Sequence, residues 1–485
     1  MRAESLRAAP NLGRIPAVTA GVPALAWIGV IAVAVAVLYG RGHVGYDGMY
    51  TLLWGRELAH GSIPDLRVPI APTPHPLAIV VAAFLTPFGA AAATLSQAVT
   101  IVAFAALGWA AFQLGRELYS VAVGVLVMAI LLTRPLLVVG ELQASVDIPF
   151  LALVVWACVL EARRPHTGRP VVVALAIAGL LRPEAWLLAA LYWLYLLPGT
   201  PVRQRAALAA MTAAAPLLWL AFDLAITGDP LHSLHETQSN AEVLERPRHV
   251  DEALQAAPVY LQQILYEPIV WGGIAGAVAA LCALYERSVL PAAVTALGLM
   301  AFVALGAFGL PLLTRYLLLP AAMLALFCAV AALGWLSLPR TRPLRAVWIA
   351  ASAILVTALV LSVPGERERM ARVHSFTDAT RAVQDDLRDV VTAAGVADVL
   401  ERCPPPIQVP NFRVVPFLAY TLDKPASAFA PRDRRPRRGA VISPLTRAVA
   451  AGLVLYTGER IPAVGSPAGF RRIEVNRTWV LSARC

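Results

Sequence analysis

A carboxylate set among cationic residues is the first feature of this chain that could do chemistry. Asp47 lies in the stretch VGYDGMYTLLWGRELAHG, Val44 to Gly61, directly after the first long apolar run. At a water–lipid boundary it could take the proton of an attacking hydroxyl as a general base. The departing group would gain negative charge and need cationic donors. Arg182 and Arg315 are the first candidates, with Arg67 and His75 behind them. Glu57, Glu141, Asp147 and Glu184 are further ionisable groups expected on that side of the membrane. Each also has a plainer structural reading. Asp47 and Asp147 stand where they could cap helices, and Arg182 could pair with Glu184 across Pro183.

The elements that must position these groups follow from composition. Of 485 residues 59% are hydrophobic and only 14% charged, with a mean hydropathy of +0.68. A soluble domain carries about 25% charged residues, so the chain reads as a polytopic membrane protein. The net charge of +10 comes almost wholly from arginine in short loops and the C-terminal segment, a pattern of membrane topology rather than nucleic-acid binding. Apolar runs long enough to span, or nearly so, lie near 22–39, 77–93, 98–114, 119–133, 148–161, 170–182, 184–198, 206–226, 267–284, 289–308, 312–336 and 344–363. Backbone amides in hydrocarbon need internal partners, so these are helices. Basic short loops at 161–169, 201–205, 285–288 and 339–345 place those ends and the N-terminal tail, 1–21, in the cytoplasm. Loops 40–76 and 227–266 then face outward. Splitting 119–147 at Arg134-Pro135 gives about 12–13 transmembrane helices and reconciles both termini.

Within Val44–Gly61 the residues Tyr50, Leu53, Trp54 and Leu58 share a helical face, which predicts a helix lying on the outer leaflet. Beyond the membrane module, 22–363, a soluble extracytoplasmic α/β domain is expected over 364–485. A helix with Val373, Phe376, Thr380, Val383, Leu387 and Val391 on one face opens it. Strand-like runs follow at PIQV, RVVPFLAY, GAVISPL, GLVLYTG, FRRIEVN and TWVLSA. Cys403 and Cys485 bracket this domain and could form a disulfide in an oxidising compartment. Arg432, Arg434, Arg435, Arg437 and Arg438 form a solvated basic loop or a contact to anionic lipid or polymer. His232, His235 and Glu236 offer three metal ligands without an evident fourth, which leaves a divalent metal possible but no cofactor assigned.

The quoted motifs resemble the GT-C glycosyltransferases, nearest to the protein O-mannosyltransferase and lipid A aminoarabinose transferase group. GYDGMY resembles the acid that opens that family's first outer loop, PHPL (74–77) its proline turn, GELQASVDIPFLAL its later acid, and AGLLRPEAW (178–186) its later basic turn. The chain departs from the pattern in having His75 and Arg182 where the family has lysines, and no second acid after Asp47. The resemblance implies a GT-C-like helical fold and a polyprenyl-phosphate-linked sugar donor. It also implies a lipid, glycan or protein acceptor. With Asp47 as the single base, direct displacement would invert the anomeric centre, and the alanine- and arginine-rich, lysine-poor composition points to a bacterial plasma membrane. Neither donor sugar nor acceptor is legible. A transporter or lipid flippase of envelope precursors is the alternative; it predicts ionisable residues near the bilayer midplane and paired broken helices.

Overall fold

The computed structural model describes residues 23–432 and 437–485, so the N-terminal tail and Arg434 and Arg435 lie outside the described residues. The helices in chain order are α1 (Ala24–Tyr39), α2 (Tyr46–Ala59), α3 (Pro76–Leu85), α4 (Ala92–Leu118), α5 (Val121–Leu132) and α6 (Pro135–Leu142). Next come α7 (Asp147–Arg163), α8 (Arg169–Gly179), α9 (Glu184–Leu196), α10 (Val202–Thr227), α11 (His232–Val243) and α12 (Val250–Leu265). The rest of the bundle is α13 (Glu267–Ala283), α14 (Tyr285–Ala307), α15 (Leu318–Leu333) and α16 (Pro343–Thr392).

The chain is a multi-pass membrane protein. Among the described residues five helices are long and apolar enough to cross alone, and seven if each of two bent pairs counts as one span. One bent pair is α5–α6, turned by 62° at Arg134-Pro135, where proline removes a helical donor. The other is α12–α13, turned by 110°. A single buried arginine secures both breaks. Arg134 donates to the carbonyls of Ile130 and Leu265 at 3.1 and 3.2 Å, and pairs with Glu366 at 3.1 Å. Helix α15 is the hub, its span 89% buried. Helix α13 can lie backbone to backbone against it because Gly273 and Gly276 face Leu324 and Phe327, where a Cβ would strike the carbonyls.

The expected boundary at Pro364 is not a helix end. Helix α16 runs 50 residues, roughly 75 Å at 1.5 Å per residue, straight through it. The proline forfeits one hydrogen bond, and the turn after it is held by the Arg134–Glu366 pair. The amphipathic face expected beyond Pro364 is corrected in part. Leu387, Val390 and Val391 are buried, whereas Phe376 is exposed. Helices α17 (Val396–Arg402) and α18 (Val415–Leu422) accompany a sheet of β1 (Ile407–Val409), β2 (Phe429–Pro431), β3 (Gly439–Pro444), β4 (Arg471–Val475) and β5 (Trp479–Arg484). Strand order is β2-β1-β3-β5-β4, with β1 parallel to both neighbours and β5 antiparallel to both of its own. RVVPFLAY is a helix rather than a strand, since Pro416 suits a first helical turn, and GLVLYTG is irregular. A disulfide joins Cys403 to Cys485, tying the chain end beside the start of β1.

The outer-leaflet reading of α2 is also corrected. Tyr50, Leu53 and Trp54 are buried in a core shared with Val390, Phe417 and Leu418 of the C-terminal region. Gly55 sits against Ala82 of α3, and Arg56 bonds the Tyr420 carbonyl at 2.7 Å and Asp423 at 3.2 Å. Thus α2 is clamped between the bundle and the C-terminal domain. Its aromatic residues pack on a protein surface instead of on lipid.

Candidate active site

The chain enters α2 in extended form against the end of α6. His43 and Gly45 donate to the carbonyls of Leu142 and Gln143 at 3.0 and 2.9 Å. Gly42 permits this, because a Cβ there would strike the Leu142 carbonyl. The helix cap is Gly45, so Asp47 is not the cap; it occupies the first turn, where the helix dipole favours a carboxylate. Its Oδ2 accepts from Arg315 Nη1 at 2.7 Å, with both side chains about one-third exposed. Arg315 stands in the short 3-10 turn Thr314–Leu317 that leads into α15.

The pair opens onto a cavity of about 360 Å³ lined by Tyr46, Asn240, Arg246 and Tyr316 among others. Loop 70–73 and α11 form its wall through Thr73–Thr237 at 2.7 Å and Asn240 to the Ala71 carbonyl at 2.8 Å. Arg246 reaches the cavity because Leu312 donates to the Pro247 carbonyl at 2.7 Å, which ties the 227–266 loop to the Arg315 turn. Its side chain has no hydrogen-bond partner among the described residues. Burial and the Arg315 charge lower its pKa. Sequence reasoning missed Arg246, since a long-range backbone pairing brings it here and no local spacing marks it.

Behind Tyr316 lies a second arginine centre. The Tyr316 ring is 4.6 Å from the Arg182 guanidinium and 5.9 Å from that of Arg315. Arg182 donates to Glu184 at 2.6 and 3.3 Å and forms an ion pair with Asp147, whose other oxygen accepts from Ser145 at 2.8 Å. Asp147 begins α7 without serving as its cap. Arg182, Asp147 and Glu184 are all buried to at least four-fifths. His75 precedes α3, half-buried edge-on to Trp219, and feels the charges of Arg182, Arg315, Asp47 and Glu184. Burial, aided by the two arginines, pushes its imidazole down to about 4, so it is neutral at pH 7. Burial alone would raise the Asp47 carboxyl. The charge and hydrogen bond of Arg315 outweigh it and hold the group below the usual carboxylate value.

The structure therefore brings together Asp47, His75, Asp147, Arg182, Glu184 and Arg315. Arg67 and Glu57 stand apart. Arg67 is exposed and bonds the Thr227 carbonyl, and Glu57 accepts from the Asp65 amide at 3.0 Å. His235 pairs with Asp229 at 2.7 Å, and among the described residues no three His, Cys, Asp or Glu side chains are grouped to hold a metal. A second hollow, of about 330 Å³ and mostly apolar, begins at Gly48 and Thr51, one and four residues past Asp47, and reaches Ser145, Val146 and Leu181 beside the Arg182 centre.

Two crystal structures of ArnT from Cupriavidus metallidurans are similar to this chain, one bound to undecaprenyl phosphate and one in the apo state. Their TM-scores are 0.55 and 0.52, each at 12% identity over 95% of this chain and 97% of that one. No family model and no curated protein matches the sequence. The chain has the GT-C fold.

Proposed function

We propose that the protein is a glycosyltransferase that moves a sugar from a polyprenyl-phosphate donor to an acceptor hydroxyl, with inversion, on the extracytoplasmic side. The observation that carries the reading is the half-open Asp47–Arg315 pair at the junction of a cationic cavity and an apolar hollow. A lipid-linked donor needs both, since each buried CH₂ contributes about 0.8 kcal/mol while only the head must reach the polar site. The undecaprenyl phosphate bound by the similar ArnT supports that donor class. In the transfer the acceptor oxygen forms a bond to the sugar's anomeric carbon and Asp47 takes its proton. The bond from that carbon to the phosphate oxygen breaks, and the phosphate leaves with the electron pair. Arg315 and Arg246 hold that anion. A phosphate drawing Arg315 toward itself leaves Asp47 more basic at the moment a base is needed.

Arg182, first proposed from the sequence as a phosphate ligand, takes a positioning role here. Its guanidinium is already committed to two carboxylates, while Arg315 and Arg246 retain donors. The disulfide supports an oxidising, extracytoplasmic setting for the C-terminal domain. The two bent helix pairs favour a transporter, but the buried charge at those bends is Arg134, saturated by fixed carbonyls and Glu366. The test incubates purified full-length protein with a panel of polyprenyl-phosphate sugars and membrane extract. Release of free polyprenyl phosphate from at least one donor is expected; a panel neither bound nor consumed removes the assignment.

A further inference from the structure

The face of α2 opposite Asp47 lines another cavity. Met49 and Arg56 lie about 180–200° round the helix from Asp47 at 100° per residue, and both border a hollow of about 960 Å³ between the bundle, α16 and the C-terminal domain. Four arginines line it, Arg41, Arg56, Arg381 and Arg388, against two acids, Asp385 and Asp423. Those acids are spoken for: Asp423 pairs with Arg56 at 3.2 Å and Asp385 with Arg388 at 2.9 Å. Arg381 reaches only the solvent-exposed Asp378, at 3.0 Å, and the Arg41 carbonyl. The Arg41 side chain has no partner among the described residues. The hollow thus keeps a surplus of positive charge.

His43 borders this cavity, is 7% exposed, and its Nδ1 has no hydrogen-bond partner among the described residues. The remaining wall is the kink between α3 and α4, where Thr86, Gly89 and Ala90 face the hollow. The same segment turns Phe84 and Phe88 outward, 75% and 59% exposed. Two bare phenylalanines beside the α4 span belong in acyl chains, so the cationic hollow opens at the height of lipid headgroups.

We propose that this hollow is a binding site for the phosphate-bearing headgroup of a membrane amphiphile, separate from the Asp47 cavity. The phosphate is held by Arg41 and Arg381, and the chains pass over Phe84 and Phe88. The ligand bridges α2, α16 and the soluble domain, and so fastens the roof of the active site to the bundle. The site stands whether or not the chain transfers a sugar.

The test reconstitutes full-length protein in phosphatidylcholine nanodiscs doped with phosphatidylglycerol and counts retained lipids by native mass spectrometry. Saturable retention of phosphatidylglycerol over phosphatidylcholine is expected, about tenfold weaker in Arg41→Gln/Arg381→Gln for each charged hydrogen bond lost. It is expected to be unchanged in Arg372→Gln, a surface arginine of α16 outside the hollow. Should the double variant not fold, Arg41→Gln alone, at an exposed position, is expected to weaken retention measurably. Phe84→Ser/Phe88→Ser should weaken phosphatidylglycerol and leave inorganic phosphate unaffected. Equal retention by wild type and the arginine variants overturns the site, as does indifference between the two lipids. Binding of inorganic phosphate without phosphatidylglycerol overturns the amphiphile.

Discussion

Two arginine–aspartate pairs share the ring of Tyr316, and they are built differently. Arg182 is 5% exposed, answers both Asp147 and Glu184, and has donors already assigned. Arg315 is 36% exposed and makes one bond to Asp47, while its Nε is buried and unpartnered. The first pair is closed and the second has capacity left. Residue type is the same in both; what separates the closed ion pair from the open one is the number of partners and the access of water. The sequence shows the four residues and cannot show that count.

The sharpest break of the contrast is Arg182→Ala. It leaves two buried carboxylates unpaired and should cost about 3–5 kcal/mol, read as a large fall in the melting temperature in detergent. Arg315→Gln should barely move that temperature, because a partly exposed pair contributes only about 0–1 kcal/mol. Its expected effect is on turnover, a loss of about 10²–10³ in kcat from one missing donor to the leaving group. Arg246→Gln is expected to act in the same direction. Equal melting losses in Arg182→Ala and Arg315→Gln would erase the distinction between the two centres.

Acid sensitivity refines the comparison. The Arg315 charge and hydrogen bond depress the Asp47 carboxyl, so its ionised form and the stability it contributes persist at neutral pH and are lost only as pH falls through its lowered folded value. In Arg315→Gln the acid limb of kcat should therefore move to higher pH. His75 behaves oppositely. The unfolded imidazole takes a proton below about 6.5 while the buried one resists until about 4. Stability should then decline between those values, and His75→Asn should flatten that decline in pH-dependent melts.

Much of the site was readable because chemistry-bearing residues are rare in a chain so apolar. Asp47, His75, Asp147, Arg182, Glu184 and Arg315 stand out against alanine and leucine, and the structure gathers them. Arg67 and Glu57 were named on the same grounds and are anchored elsewhere, by the Thr227 carbonyl and the Asp65 amide. Nothing local distinguishes an arginine that reaches a cavity from one that ties down a loop. The break at Arg134-Pro135 was legible because proline acts through its own backbone. At 364 the change of composition marked a domain boundary, and the helix runs through it without a break. RVVPFLAY shows the limit for short apolar runs, where a buried helix and a buried strand carry one pattern. The placement of α2 escaped for a related reason, since a Tyr/Trp stripe suits a lipid surface and a protein roof equally well.

The most direct measurement compares wild type and Asp47→Asn in single-turnover transfer from the donor the panel identifies, alongside donor binding. Replacing the carboxylate keeps the shape and removes the base. Binding within a few-fold of wild type, with transfer slowed by about 10²–10⁴, is the predicted result. Transfer at the wild-type rate would contradict the account, because proton removal would then belong to another group.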